Sequence, residues 1–235
     1  IVTVPQLAEA GLPLLKELGM TANEAERMRR SAQATLSGKA IVLAKPKLPT
    51  AAVEIYMDFE STSEPLEADL EKIDYLIGLV ICHDGKQEYR PFVAHTLDEE
   101  EKMFRDFLGF IESQKDIILF HWHTYEKTRM RHLFEKYGVK ASLQKRVLDR
   151  MVDLHKIATT CAVFPTPGNG LKEIAKWLGF SWRHGEVNAQ ESIAMYLRYA
   201  ENNKKYADDL RLILDYNEDD CNATLKVKEY LEGLR

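Results

Sequence analysis

Apolar residues fall at helical spacing near the start of the chain, then in short β-branched runs, then at helical spacing again. Leu7, Leu12, Leu14, Leu15 and Leu18 predict a helix over Pro5–Leu18. Thr21 with Glu24 three residues on has the form of a capping box and announces a second helix. Lys45–Pro46–Lys47–Leu48–Pro49 breaks the pattern and reads as a linker. Ala51–Phe59, Asp74–His83 and Lys86–His95 then read as strands, and the short Asp84–Gly85 turn makes the last two a hairpin with the first strand beside them. Thr96–Leu97–Asp98–Glu99 caps a helix carrying Met103, Phe104, Phe107, Leu108 and Ile111. Asp116–Trp122 is a fourth strand, and Thr124–Tyr137 a helix stopped at Gly138. From Leu143 onward the pattern is nearly all helical, with loops at Pro165–Gly170 and Trp182–Val187 and a long last helix over about Lys205–Leu234. The order predicts an α/β domain, a mixed sheet flanked by helices over residues 49–235, after a helical appendage and linker over residues 1–48.

The chain of 235 residues is 45% hydrophobic, enough for a sizeable core. No apolar run approaches the roughly 20 residues of a membrane span, so no membrane partner is expected. Cys82, Cys161 and Cys221 are odd in number and scattered, which points to a reducing, cytoplasmic setting rather than to disulfides or zinc. The chain opens on Ile1 and reads as a piece of a longer protein. A net charge of −5 is no footprint of nucleic-acid binding. Positive charge is nevertheless concentrated locally: Lys127, Arg129, Arg131, Lys136, Lys140, Lys145, Arg146 and Arg150 face only Glu135 and Asp149 in the same stretch. Such a stretch is either a solvated helix face or the path of a phosphate backbone.

The candidate chemistry begins with Asp58 and Glu60, two residues apart at the end of the first strand. Side chains at i and i+2 of a strand share a face, so the carboxylates converge if the strand persists. Their repulsion calls for a hard cation held by oxygen ligands. The alternative is a solvated acidic turn running on through Ser61–Thr62–Ser63–Glu64. Glu126 opens the helix after the fourth strand, where the helix dipole favours an acid with or without a ligand role. His121 and His123 flank Trp122 at that strand end and are expected to face one way; without a third zinc ligand at a recognisable spacing they read as satisfied or substrate-facing histidines. On the last helix, Leu212, Ile213, Ala223, Val227, Leu231 and Leu234 mark an apolar stripe that also contains Tyr216 and Asp220 at i, i+4. An acid on that face needs a partner, whereas Asp215, Glu218 and Asp219 fall away from it and need only solvent. Asp153 either caps the helix running to Cys161 or substitutes for Glu126 as a ligand.

Asp58-x-Glu60 on the first strand, an acid opening the helix after the fourth, and Tyr216-x-x-x-Asp220 on a late helix resemble the three motifs of the DEDD exonucleases, which have the ribonuclease-H-like fold. More closely, the chain resembles the ribonuclease-H-like nuclease domains found beside RecB-type nuclease and helicase segments. Leu171–Phe180 (LKEIAKWLGF) and Tyr216–Thr224 (YNEDDCNAT) carry that likeness, and the resemblance spans about Val53–Leu231. The helices around Leu18–Gly19–Met20 resemble a degenerate helix-hairpin-helix lacking its second glycine, or form a small packing appendage.

The resemblance implies a 3′–5′ exonuclease acting on a DNA or RNA strand end with two Mg²⁺ or Mn²⁺ ions. On that resemblance Asp58 would serve both ions, Glu60 and Asp220 would complete the site of the ion that activates water, and Glu126 stands where the family usually has Asp. Tyr216, rather than a histidine at position 215, puts the chain in the tyrosine class. Further nuclease or helicase domains of a parent chain are implied as partners. Two other classes of function stay open: a catalytically weak nucleic-acid-binding module that positions such domains, and a scaffold without nucleic acid.

Overall fold

A computed structural model describes residues 3–17, 19–62, 72–185 and 187–234. The expectations resting on Leu18, Ser63 and Glu64 lie outside the described residues. Two compact units partition the chain: one gathers Ile1–Leu48, His155–Phe180 and Lys226–Arg235, the other Pro49–Leu154 and Ser181–Leu225.

In the first unit, the expected single helix over Pro5–Leu18 is instead two short ones, α1 (Val4–Glu9) and α2 (Leu12–Glu17). Pro13 explains the break: it has no N–H to bond back along a continuing helix, and its ring would press on the carbonyl of Glu9. Helix α3 (Ala22–Ser37) starts at the expected capping box. The Thr21 N–H donates to Glu24 at 2.9 Å, and the Glu24 N–H returns to the Thr21 hydroxyl at 3.3 Å. Gly38 ends the helix in the left-handed region, φ +65°. A two-residue strand β1 (Ile41–Val42) follows, and residues 43–52 up to the next strand have no regular structure, as the prolines there predict.

The second unit is built on a five-stranded sheet. Its strands are β2 (Val53–Ser61), β3 (Asp74–His83), β4 (Lys86–Val93), β5 (Ile117–His121) and β6 (Met151–Asp153), in the order β4-β3-β2-β5-β6. The β4/β3 and β3/β2 pairs are antiparallel; β2/β5 and β5/β6 are parallel. The sheet is therefore mixed, and four of its strands lie where the apolar runs predict them. The fifth, β6, falls in a segment that reads as helical. Three residues are too short for a period to show, and they become a strand because β5 offers a free edge, Leu119 to His121 facing Met151 to Asp153.

Helix α4 (Glu100–Ser113) packs Met103, Phe104, Phe107, Leu108 and Ile111 into the core with Ile55, Met57, Phe59 and Leu79. Its start differs from the expected Thr96 cap: the Thr96 hydroxyl donates to Asp98, and the Glu99 carboxylate accepts the His95 N–H. Helices α5 (Tyr125–Lys136) and α6 (Ala141–Leu148) link β5 to β6, with Gly138 at φ +59° after α5. Beyond β6 come α7 (Leu154–Cys161), β7 (Ala162–Val163) paired antiparallel with β1, α8 (Leu171–Trp177), α9 (Ala189–Glu201) and the 26-residue α10 (Ala207–Glu232). No helix among the described residues is long and apolar enough to cross a membrane. Cys82, Cys161 and Cys221 are free thiols.

Two buried ionic clusters tie the sheet to its helices. Asp74, fully buried, takes Arg129 Nε at 2.9 and 3.0 Å and also the Ser61 hydroxyl, which in turn accepts Tyr125 Oη at 2.8 Å. Glu100 accepts the Asp74 N–H, Lys136 Nζ and Tyr137 Oη. Each acid has several donors, the condition under which a buried charge is tolerated.

Candidate metal centre

Strand β2 persists through Ser61, with a shift of register only after Glu60, so Asp58 and Glu60 do point to one side of the sheet. Met57 and Phe59 point to the other and join the core. Helix α10 brings Asp220 to the same place: one carboxylate oxygen each from Asp58, Glu60 and Asp220 lies within 4.8 Å of the others. Glu60 and Asp220 are under a tenth exposed and Asp58 is half-buried. Three acids this close in a water-poor pocket repel strongly as anions. An all-oxygen carboxylate set is the donor set that hard divalent cations take, so these residues fit Mg²⁺ or Mn²⁺.

Neutral donors aim each carboxylate without cancelling its charge. Asn217, fully buried, donates Nδ2 to Asp58 Oδ2 at 2.9 Å. Its Oδ1 accepts the Tyr89 hydroxyl at 2.9 Å, and since burial pushes Tyr89 far above the usual phenol range, that hydroxyl keeps its proton and fixes which way the amide faces. Gly78, paired across the ladder with Asp58, makes room for this amide: a Cβ there would lie 1.5 Å from Asn217 Oδ1. The Cys221 thiol, one turn further along α10, reaches the Gly78 carbonyl at 3.4 Å. Ser192 on α9 extends a long 3.5 Å bond to Glu60 and is held at 2.7 Å by Tyr75, whose ring stacks on Tyr196.

Tyr216 lies one turn before Asp220 on the same side of α10, with its ring buried beside the three acids. Burial first, then the charges of Asp220, Glu60 and Asp58, raise its pKa far above the ordinary phenol value, so the hydroxyl stays protonated. Asp220 Oδ1 also accepts the indole N–H of Trp182 at 2.8 Å.

Glu126 does not join the three-acid cluster. It is buried in the first turn of α5, with Oε2 3.4 Å from His121 Nδ1 in a geometry too poor for a hydrogen bond. Burial raises its pKa above the usual carboxylate range, against a lowering by His121. A buried carboxylate oxygen without a hydrogen bond among the described residues is the kind of atom a second cation would satisfy. Asp153 ends β6 beside His121 in register, and its carboxylate accepts the His123 N–H at 3.1 Å. The two histidines do not share a face: β5 stops at His121, which is buried, while His123 turns into the left-handed region at φ +69° and is exposed.

The model of the RNase_H superfamily matches residues 55–232. The chain belongs to the RNase H superfamily. No curated protein and no solved structure gives a significant match. The five-stranded mixed sheet flanked by helices is the RNase H-like fold, and the acids converge at β2 and α10 within the matched span. RNase H-like enzymes are generally nucleases that use divalent metals on nucleic acid, which accords with the carboxylate set.

Two expectations from the sequence do not hold. Asp215, Glu218 and Asp219 do more than face solvent: Arg183 Nη1 reaches Asp215 at 3.1 Å, Nη2 reaches Glu218 at 2.7 Å and Nε reaches Asp219 at 2.9 Å. The helical wheel missed this because the partner arrives from a loop 36 residues away from Asp219. Much of the basic stretch is also committed internally: Arg129 to Asp74, Lys136 to Glu100, Lys145 to Asp149, Arg146 to the carbonyls of Glu112 and Gln114, and Arg150 to the carbonyls of Lys115 and Arg146. Lys127, Arg131 and Lys140 make no ion pair among the described residues. Asn217, Gly78, Trp182 and Arg183 were not singled out from the sequence. An amide immediately after Tyr216, inside the motif, was the only available signal.

Proposed function

We propose that this chain is a divalent-metal-dependent 3′–5′ exonuclease of the tyrosine-class DEDD type, hydrolysing phosphodiester bonds at a DNA or RNA strand end. The observation that supports it is the meeting of Asp58, Glu60 and Asp220 within 4.8 Å, with Tyr216 one turn before Asp220 on the same helix. Asp58, Glu60, Glu126 and Asp220 are the residues that would hold two Mg²⁺ or Mn²⁺ ions. Such ions, when bound, supply a water nucleophilic near neutral pH and stabilise charge on the leaving oxygen. Asn217 and Ser192 keep Asp58 and Glu60 turned toward the shared pocket. Tyr216, whose pKa burial raises, is a hydroxyl donor beside the acids, suited to orienting the attacking water. Lys127, Arg131 and Lys140 are the cations best suited to phosphate contacts. In this reading residues 49–235 form the nuclease domain, residues 1–48 an appendage, and a cytoplasmic parent chain adds RecB-type nuclease or helicase domains.

A labelled single strand incubated with Mn²⁺ tests the proposal. Stepwise shortening from the 3′ end that stops with Asp58→Ala is the expected result, and an intact strand under these conditions refutes exonuclease activity. A second reading, a nucleic-acid-binding module that cuts weakly, is favoured by Glu126, which stands apart from the three clustered acids beside His121. Binding of the strand in Mn²⁺ without shortening would support it.

A further inference from the structure

Trp182 spends its one polar atom on the candidate metal centre. An indole N–H can only donate, and here it donates to Asp220 Oδ1 at 2.8 Å. The side chain is half-buried and comes from the loop before α9, remote in sequence from the three acids.

The next residue ties that loop down. Arg183 makes five hydrogen bonds, all to α10: its backbone N–H to Asp219 Oδ2 at 2.7 Å, Nε to Asp219 Oδ1, Nη1 to Asp215 Oδ1, and Nη2 to both the Asp215 carbonyl and Glu218 Oε2. His184 adds a contact to Asp215 Oδ2 at 3.0 Å. Every acceptor lies within about a turn and a half of Asp220, so the loop and this stretch of helix hold one another in register. Planar guanidinium forks of this kind hold carboxylates with fixed direction.

We infer that Trp182 is a positioning residue for metal binding: anchored by Arg183, its indole N–H holds Asp220 in the rotamer that turns it toward Asp58 and Glu60. The inference rests on the reading of those acids as metal ligands. A carboxylate offers about four lone-pair sites. Trp182 occupies one from the protein side, which leaves the carboxylate oriented and still able to coordinate. Supporting hydrogen bonds to metal-binding carboxylates are worth on the order of 10- to 100-fold in metal affinity.

The test is Mn²⁺ binding to the whole chain, read by loss of the free-ion paramagnetic resonance signal, alongside metal-free thermal unfolding. Trp182→Phe keeps the ring and removes the donor. The expected result is a roughly tenfold or greater loss of Mn²⁺ affinity with nearly unchanged metal-free melting, a split that a merely structural role would not produce. Arg183→Met, which leaves Trp182 in place and removes its anchor, should lower affinity in the same direction, and the double variant should lose little more than Trp182→Phe alone. If Trp182→Phe does not fold, Arg183→Met carries the test by itself. Wild-type affinity in these variants, while Asp220→Ala abolishes binding, overturns the inference and leaves the metal reading standing. Absence of Mn²⁺ binding by the wild-type chain overturns both.

Discussion

Gly78→Ala is the most demanding check on how the centre is built. The backbone at Gly78 is an ordinary strand conformation, and in an open site an added methyl there would stabilise by roughly 0.4–1 kcal/mol through the unfolded chain. The structure reverses that sign. The new Cβ would stand 1.5 Å from Asn217 Oδ1 and 2.7 Å from its Cγ, so the amide has to swing away. It then loses the bond from Tyr89 and the bond to the Asp58 carboxylate, both 2.9 Å. A neutral bond of this kind is worth about 1 kcal/mol and one to a charged group about 1.5–3, so the expected loss is about 3 kcal/mol. For a chain of this size each kcal/mol moves the melting temperature by roughly 2–4 °C, which predicts a fall of about 6–12 °C. Urea unfolding followed by circular dichroism measures the first figure and a thermal scan the second. Gly78→Ala/Asn217→Ala supplies the decisive arm: with the amide gone the methyl's severe overlap is relieved, leaving a tight 3.1 Å contact to Tyr89 Cε2, so the double variant should be less destabilised than the sum of the singles by at least about 1 kcal/mol. Strict additivity, or a Gly78→Ala protein within about 0.5 kcal/mol of wild type, would refute the argument.

Other outcomes follow from the same structure. Tyr216→Phe should retain Mn²⁺ binding while slowing strand cleavage on the order of 10- to 100-fold, read by parallel binding and rate measurements. Arg129→Met strands the fully buried Asp74 and should lower the unfolding free energy by about 3–5 kcal/mol; a loss under about 1 kcal/mol in urea would show that the pair contributes little. Burial raises Glu126 above its unfolded pKa, so the folded state binds the extra proton and that part of its stability is lost as pH rises through the folded value. Metal-free Glu126→Gln should therefore match wild type in acid and exceed it increasingly toward neutral pH. Parallel stability curves for the two proteins would contradict this.

The readable part of the protein is the part written in local periods. Strict alternation in β2 put Asp58 and Glu60 on one face while Met57 and Phe59 entered the core. The 3.6-residue period of α10 put Tyr216 and Asp220 on its buried side. Capping chemistry marked Thr21 and Glu24, and a tight turn marked the hairpin of β3 and β4. Where a segment had no room for a period, as in the three residues of β6, or was divided by one residue, as at Pro13, the reading slipped.

Sequence by itself therefore determined which side chains share a face, and with the motif spacing it determined which acids to suspect. Only the tertiary structure decided which faces meet. That Asn217 lies over Gly78, that Trp182 reaches Asp220, that Arg183 gathers three acids, and that Glu126 sits against His121 apart from the other carboxylates are contacts between segments far apart in the chain. A period specifies direction along one element, whereas these contacts depend on the packing that brings two elements together, and no single stretch of residues contains that information.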